Sequence, residues 1–375
     1  MAIATGRFTA LDVFRGLTIC FMIIVNAPGS GASVWVPLDH AAWFGFTPTD
    51  LVFPSFLFAV GNALSFSKKK PETDKTFLTK IFKRTVIIFL LGFLMYWFPF
   101  FHRGAAGWEF NTLGHTRIMG VLQRIALCYF FGALIVHYCS QKTAVMLSIL
   151  LLLGYWAFLI WLGEPGNIYT MLGNAGTKLD ILILGNDHLY HDKGGPIAFE
   201  PEGLLSTLTG IVNVIAGYLA GAFIQKKGKS YEAVAKLFIC GAALIALALF
   251  WGQFFPIAKK LWTSSFTLLT IGIDLCIMGL LIYVIEIEKV KRGTNFFLVF
   301  GKNPLAIYLL SELLLTALQV IWVAPKLSFY DWINQVFYQR LFPGALGTLV
   351  FAIGYMLLCW VVADAMDKKN IYIKI

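Results

Sequence analysis

The chain has 375 residues, of which 58% are hydrophobic and only 13% are charged. This composition excludes an ordinary soluble domain, because apolar runs of about 18 residues or more, each long enough to span a bilayer, recur throughout. The net charge of +10 would suit a nucleic-acid partner, but the basic residues cluster in alternate connections between apolar runs, so we expect no nucleic acid.

Ten segments have the length and apolar character of helices that cross a membrane. They are residues 9–27, 48–67, 78–97, 118–138, 143–162, 203–224, 234–254, 264–286, 303–323 and 345–366. We therefore predict an all-α, polytopic integral membrane protein, with residues 1–375 forming a single domain. The longest polar excursion, residues 163–202, is predicted to be an extracytoplasmic loop, either a lid over a site or a solvated connector.

The basic residues indicate how these helices are oriented. About 20 of the 30 Lys and Arg residues fall on one side of the predicted bundle, and such basic connections face the cytoplasm. They are Arg7, Lys68, Lys69, Lys70, Lys75, Lys80, Lys83, Arg84, Lys142, Lys226, Lys227, Lys229, Lys236, Lys289, Lys291, Arg292, Lys302, Lys368, Lys369 and Lys374. Both termini are therefore predicted to be cytoplasmic. Because the first apolar segment has no small-residue cleavage site, we expect it to stay in the protein.

Polar side chains are concentrated in the first two predicted helices and the loop between them. Asp12, Arg15 and Asn26 lie in the first helix, His40 lies in the loop, and Asp50 lies near the start of the second helix. Ionisable groups at membrane depth are costly, so each one is a functional hypothesis. A histidine can take up or release a proton near neutral pH. The cluster therefore favours proton-transfer chemistry at a membrane face.

Asp50 also has a structural explanation, and both uses stay open. Thr47 can be the N-cap of the second helix, Pro48 suits its first position, and Asp50 can return to the amide of the cap residue. The predicted topology places Arg117 and Glu202, from later segments, at the same outer face. We therefore expect these two residues to approach the loop that carries the histidine.

A set of short motifs occurs in the order of a known family and reaches across most of the chain. The motifs are D-V-F-R-G (Asp12–Gly16), V-N (Val25–Asn26), H-A-A-W-F-G (His40–Gly45), D-L-V-F-P-S-F-L-F (Asp50–Phe58), G-V-L-Q-R (Gly120–Arg124), P-E-G-L-L-S-T (Pro201–Thr207) and G-K-N-P-L-A-I-Y (Gly301–Tyr308). With them the sequence resembles the heparan-α-glucosaminide N-acetyltransferase family, multi-pass enzymes of the transmembrane acyltransferase group. The resemblance implies that His40 is the catalytic histidine and Asn26 the active-site asparagine, although the segment between them is longer than in human-type members.

The resemblance also implies a reaction. Acetyl would pass from cytosolic acetyl-CoA to the amine, or hydroxyl, of a glucosamine-type sugar or glycan outside the cytoplasm. His40 would act as a general base or carry the acetyl group itself, and both routes stay open. Asn26 would hold the substrate or stabilise an oxyanion, and Asp50 would orient the imidazole. The candidate acceptor-binding residues are Glu202, Arg117 and Trp43.

Binding of acetyl-CoA needs basic groups for its phosphates and hydrogen-bonding groups for its pantetheine arm. The candidates are Arg15, Arg124, Gln123, Lys302 and Asn303. Each basic candidate has a structural alternative. Arg15 can pair with Asp12 at i,i+3, Lys302 can extend to the membrane surface, and Arg124 can form an internal pair with an acidic residue such as Glu312 or Asp274.

A multi-pass transporter of a small solute is the main alternative function. Asp274 and Glu312 lie in the middle of predicted helices and would suit a proton or ion path. O-acylation with another acyl group is a third possibility.

The compact chain resembles bacterial members, so we expect the bacterial cytoplasmic membrane, and the resemblance favours a homodimer. We predict no metal site, because the six cysteines form no C-x-x-C pair and the His188–His191 spacing lacks a third ligand.

Overall fold

The computed structural model describes residues 8–67, 73–104, 107–191 and 198–373. Part of the basic set that predicts the orientation, namely Arg7, Lys68, Lys69, Lys70 and Lys374, lies outside these ranges. Within them the chain is a bundle of long helices with two short β-hairpins at its connections.

The helices account for most of the described chain. They are α1 (Thr9–Asn26), α2 (Pro48–Ser67), α3 (Asp74–Trp97), α4 (Val121–Tyr138), α5 (Gln141–Leu162), α6 (Ala175–Leu184), α7 (Thr207–Lys227), α8 (Tyr231–Trp251), α9 (Ser264–Leu281), α10 (Thr294–Lys302), α11 (Pro304–Val320), α12 (Phe329–Ile333), α13 (Gln339–Leu341) and α14 (Ala345–Lys368). A π-helical stretch, Ile282–Ile287, continues α9, and another, Asn334–Tyr338, follows α12. The hairpins pair β1 (Phe101–Gly104) with β2 (Gly107–Phe110) and β3 (Trp322–Ala324) with β4 (Leu327–Ser328).

Eight helices in the described ranges are long and apolar enough to cross a membrane, namely α1, α2, α4, α5, α7, α8, α9 with its π-helical continuation, and α14. A ninth candidate consists of α10 and α11, which meet at an angle of 85° where Pro304 begins α11. The remaining long helix, α3, has 24 residues and carries its basic side chains in its first half. Each of the ten predicted segments coincides with one of these elements, so the prediction of an all-α, polytopic membrane protein is confirmed.

Helices α2 and α7 pack closely, and their packing depends on glycine. A Cβ atom at Gly61 would lie 1.8 Å from the main-chain oxygen of Val214, and one at Gly217 would lie 2.0 Å from that of Phe58. Small residues at such positions let two backbones approach within direct contact. The contact fixes α7, and the segment that leads into it, against the helix that begins at Pro48.

The predicted extracytoplasmic loop, residues 163–202, packs against the connection between α1 and α2. The indole N–H of Trp43 donates a hydrogen bond to the main-chain oxygen of Tyr169, 2.8 Å away. The rings of Trp43 and Phe199 have centroids 5.2 Å apart. Both ends of the loop therefore contact the segment that carries His40.

Candidate active site

The imidazole of His40 lies beside a buried carboxylate. Its Nδ1 atom is 2.7 Å from Oδ1 of Asp50, whose side chain is fully buried, whereas 40% of the His40 side chain is exposed. A carboxylate at this distance accepts the Nδ1–H proton and leaves Nε2 as the basic atom. The sequence places the two residues ten positions apart, on either side of the turn that starts α2.

Asp50 combines the two uses that the sequence leaves open. Its second oxygen, Oδ2, accepts hydrogen bonds from the main-chain N–H of Thr47 at 2.9 Å and of Ala41 at 3.2 Å. The Thr47 contact is the return bond of a helix N-terminus, while the Ala41 contact ties the histidine loop to the same carboxylate. Asp50 therefore starts α2 and orients His40 at the same time.

Lys259 is a third member of this cluster, and the sequence analysis did not single it out. It lies in the connection between α8 and α9, and its Nζ atom is 3.2 Å from Nε2 of His40. Burial lowers the pKa of Lys259, while the carboxylates of Glu202 and Asp50 oppose that shift. The only signal in the sequence is a pair of lysines, Lys259–Lys260, on the side of the bundle that is poor in basic residues.

Arg117 joins two carboxylates from the end of the 163–202 loop. Its Nε and Nη2 atoms donate to the two oxygens of Glu200 at 2.9 and 2.5 Å, and Nη2 also lies 2.6 Å from Oε2 of Glu202. The prediction that Arg117 and Glu202 meet at one face therefore matches the geometry, and Glu200 is the partner that completes the group.

The two carboxylates differ in their protonation. Burial raises the pKa of Glu200 to about 7, although the Arg117 guanidinium opposes it. Burial acts on Glu202 in the same direction, but the charges of Arg117 and Lys259 outweigh it and hold the Glu202 pKa below its ordinary value. The charge of Glu202 therefore acts both on Arg117 and on Lys259, the cation beside His40.

Asn26, the last residue of α1, has a partner other than the histidine. Its Nδ2 donates to Oε1 of Glu312 in α11, 2.9 Å away. Glu312 is therefore not the partner of Arg124, which is fully buried and donates to the main-chain oxygen of Gly203 and to Ser206. Arg124 also lies 4.7 Å from the ring centroid of Trp262.

The residues predicted to bind acetyl-CoA lie in different surroundings. Arg15 pairs with Asp12. Lys302 pairs with Asp367 at 2.7 Å. Asn303 donates to the main-chain oxygen of Ile371 and accepts from the N–H of Ile373. Gln123 is fully buried, and neither atom of its amide group has a hydrogen-bond partner in the described structure.

A cleft lies between α1, α2, α3, α4 and the start of α11, in the half of the bundle that contains the N-terminus of α1. Its cavity volume is about 140 Å³, and it opens to the surroundings. Its walls are largely apolar, and two of its lining residues are the basic Arg15 and Arg84. Arg84 stacks over the ring of Tyr129 at 4.9 Å and was used in the sequence analysis only to assign orientation.

The chain is similar to known proteins over much of its length. Residues 7–176 match the family model described as heparan-alpha-glucosaminide N-acetyltransferase, catalytic. The human heparan-alpha-glucosaminide N-acetyltransferase is 27% identical in an alignment covering 80% of this chain and 52% of that protein. The mouse protein of the same name is 26% identical, with 83% and 54% covered.

The chain thus spans about half the length of the curated relatives that it matches. The family match contains the His40–Asp50 pair and Arg117, whereas Glu202 and Lys259 lie after its last residue. These similarities agree with the resemblance that the motifs carry: the chain is similar to the heparan-alpha-glucosaminide N-acetyltransferase family.

Proposed function

We propose that this protein is a transmembrane acetyltransferase that moves acetyl from cytosolic acetyl-CoA to the amine, or hydroxyl, of an extracytoplasmic amino sugar or glycan. The observation that carries the proposal is the 2.7 Å contact between His40 and a buried Asp50, inside the stretch that matches the catalytic family model. A buried carboxylate and a partly exposed imidazole that it orients are the parts of a general-base site.

In the direct form of the reaction, the acceptor nitrogen attacks the thioester carbonyl. A C–N bond forms, the C–S bond breaks, and the acceptor proton passes to Nε2 of His40. Asp50 stabilises the resulting imidazolium through Nδ1–H, and the proton then leaves to the CoA sulfur or to solvent. In the alternative form, Nε2 takes the acetyl group first and passes it to the acceptor in a second step. Both forms use the same two residues.

The cleft that Arg15 and Arg84 line supports the donor part of the proposal. Guanidinium groups bind phosphate oxygens with paired hydrogen bonds, and the apolar walls suit a pantetheine arm. In the predicted orientation this cleft faces the cytoplasm, where acetyl-CoA is found. Lys302, Asn303, Gln123 and Arg124 stay predictions as donor ligands, because the first two are bonded to the C-terminal segment and the last two are fully buried.

Trp43 and the carboxylates beside Arg117 support the acceptor part. The half-buried Trp43 offers an aromatic face next to the histidine loop, and Glu202 supplies a negative charge for an ammonium group. The opposite faces of donor and acceptor sites fit a reaction whose two substrates are in different compartments. The bacterial cytoplasmic membrane and the homodimer remain predictions from the family resemblance.

The test is release of free CoA from acetyl-CoA by purified protein with and without glucosamine. His40→Ala should reduce the rate by about 10²–10⁴-fold, the usual contribution of a positioned base. His115→Ala is the matched control, because His115 is an exposed histidine in the connection between α3 and α4. A transporter would release no CoA under any condition, and equal rates for wild type and His40→Ala would exclude His40 as base or acetyl carrier.

A further inference from the structure

The imidazole of His40 is held at both nitrogens. Nδ1 faces Oδ1 of Asp50 at 2.7 Å, and Nε2 faces Nζ of Lys259 at 3.2 Å. A carboxylate only accepts hydrogen bonds and an ammonium only donates them. The two contacts are therefore satisfied together by one state of the ring, the neutral tautomer with its proton on Nδ1 and a lone pair on Nε2.

The backbone that carries Lys259 is firmly held. The Lys259 main-chain oxygen accepts from the N–H of Trp262 at 2.9 Å, and the N–H of Ala258 donates to Oγ1 of Thr263 at 3.1 Å. Ala258 and Trp262 are fully buried on either side of the lysine. The turn thus fixes the backbone from which the lysine side chain reaches His40.

We infer that Lys259 is a positioning residue that keeps the Nε2 atom of His40 unprotonated until the acceptor arrives. The inference rests on the proposed role of His40. An ammonium 3.2 Å from Nε2 opposes a second positive charge on the ring, whereas Asp50 alone would favour the imidazolium. When the acceptor amine arrives, the Lys259 ammonium moves away from Nε2. The Glu202 carboxylate, whose charge already acts on Lys259, attracts this ammonium.

Charged groups from several parts of the fold act on this ring. Asp50 contributes from α2 and Lys259 from the α8–α9 connection, while Asp39 in the histidine loop accepts from the main-chain N–H of His40 at 2.8 Å. Glu202 acts through Lys259. Lys259 is the group in direct contact with Nε2, so removing its charge should change the ring more than removing any other cation.

The first test observes the protonation state of the His40 imidazole and does not require acetyl transfer. Protein labelled with ¹⁵N-histidine is compared by NMR as wild type, Lys259→Met, Lys259→Arg and Lys260→Met, with the His40 signals assigned from His40→Gln. At about pH 6.5, where an ordinary histidine titrates, we expect wild type, Lys260→Met and Lys259→Arg to show a larger share of the neutral Nδ1–H tautomer than Lys259→Met does. The same ring state in wild type and Lys259→Met would overturn the inference.

The second test measures kcat/KM for acetyl transfer against pH. Lys259→Met should be about tenfold slower than wild type near pH 6 and within about twofold of it near pH 8.5, because its ring is protonated only at the lower pH. A merely structural role would lower the rate equally at every pH and overturn the inference. If neither protein transfers acetyl, the proposed function fails, while the NMR result still decides the role of Lys259.

Discussion

His40 and Asp50 form a contact that links the start of a membrane-spanning helix to a titratable ring. Oδ2 of Asp50 accepts a hydrogen bond from the main-chain N–H of Thr47, and Oδ1 lies within hydrogen-bond distance of Nδ1 of His40. Both carboxylate oxygens are occupied, and the side chain is fully buried. The geometry of the ring is therefore set by the same residue that begins α2.

Replacing Asp50 separates its two uses. Asp50→Asn keeps one carbonyl oxygen but loses the negative charge that stabilises an imidazolium, so we expect acetyl transfer to fall by about 10²-fold or more. Thr47→Ala removes a hydroxyl near Oδ2, 3.1 Å away, but keeps the main-chain N–H. Because that hydroxyl also donates to the main-chain oxygen of Asp39 at 2.7 Å, the change should cost about 1 kcal/mol of unfolding free energy, typical of a lost hydrogen bond, and lower the rate much less than Asp50→Asn does. Steady-state rates and thermal melts of both variants check this, and a larger rate loss in Thr47→Ala would contradict it.

The protonation of Glu200 predicts how acceptor binding depends on pH. Because its pKa is raised to about 7, Glu200 is neutral below that value and gains its negative charge above it. Glu202, with a lowered pKa, is charged throughout. We therefore expect the KM for an amino-sugar acceptor to fall as pH rises through about 7, since the ammonium meets a second carboxylate.

Glu200→Gln mimics the neutral form and should remove this pH dependence of acceptor KM. Glu164→Gln, at an exposed position of the same loop, is the matched control and should keep it. The stability effect has the opposite sign: a raised carboxyl pKa contributes stability below the ordinary value near 4.5, and that contribution is lost as pH rises through about 7. An unchanged dependence of KM in Glu200→Gln would show that Glu200 does not act on the acceptor.

The helices were predictable because crossing a bilayer requires about 20 apolar residues, a pattern that is visible without any tertiary information. The contact between Arg117 and Glu202 was predictable because successive helices end on alternate sides of the membrane. This alternation places both residues at the same face. Glu200 lies two positions before Glu202 in the sequence, but its paired hydrogen bonds to Arg117 depend on how the 163–202 loop folds back.

Two features of the candidate sites could not be predicted from the sequence, and each has a physical reason. The rotation of α4 about its axis decides which of its side chains line the cleft, and these are Leu122, Ile125 and Tyr129, one stripe at helical spacing. Gln123 and Arg124 face elsewhere although they belong to a family motif. Lys259 reaches His40 from 219 positions away, in a connection with no motif, so only the folded chain brings it into the site.

The α2–α7 contact predicts a severe effect of one methyl group. Gly61→Ala would place Cβ 1.8 Å from the Val214 main-chain oxygen, which cannot move without shifting α7, so we expect a loss of at least about 1–3 kcal/mol of unfolding free energy. Gly154→Ala, in α5, is the control, because a Cβ there meets nothing within 4 Å. Thermal melts in detergent compare the two, and an equal melting temperature for both variants would contradict this packing.

The cleft predicts which arginines affect the donor. Arg84→Gln and Arg15→Gln each remove a guanidinium from the lining and should raise the KM for acetyl-CoA by about tenfold, the effect of losing one charge-assisted hydrogen bond to phosphate. The KM for the acceptor should stay unchanged, because the acceptor groups lie at the other end of the bundle. Lys75→Gln, an exposed position of α3, removes an equal charge outside the cleft and separates a local contact from general attraction of an anion. If Lys75→Gln raised the donor KM as much as Arg84→Gln, the donor would be drawn by the basic surface as a whole rather than bound in the cleft.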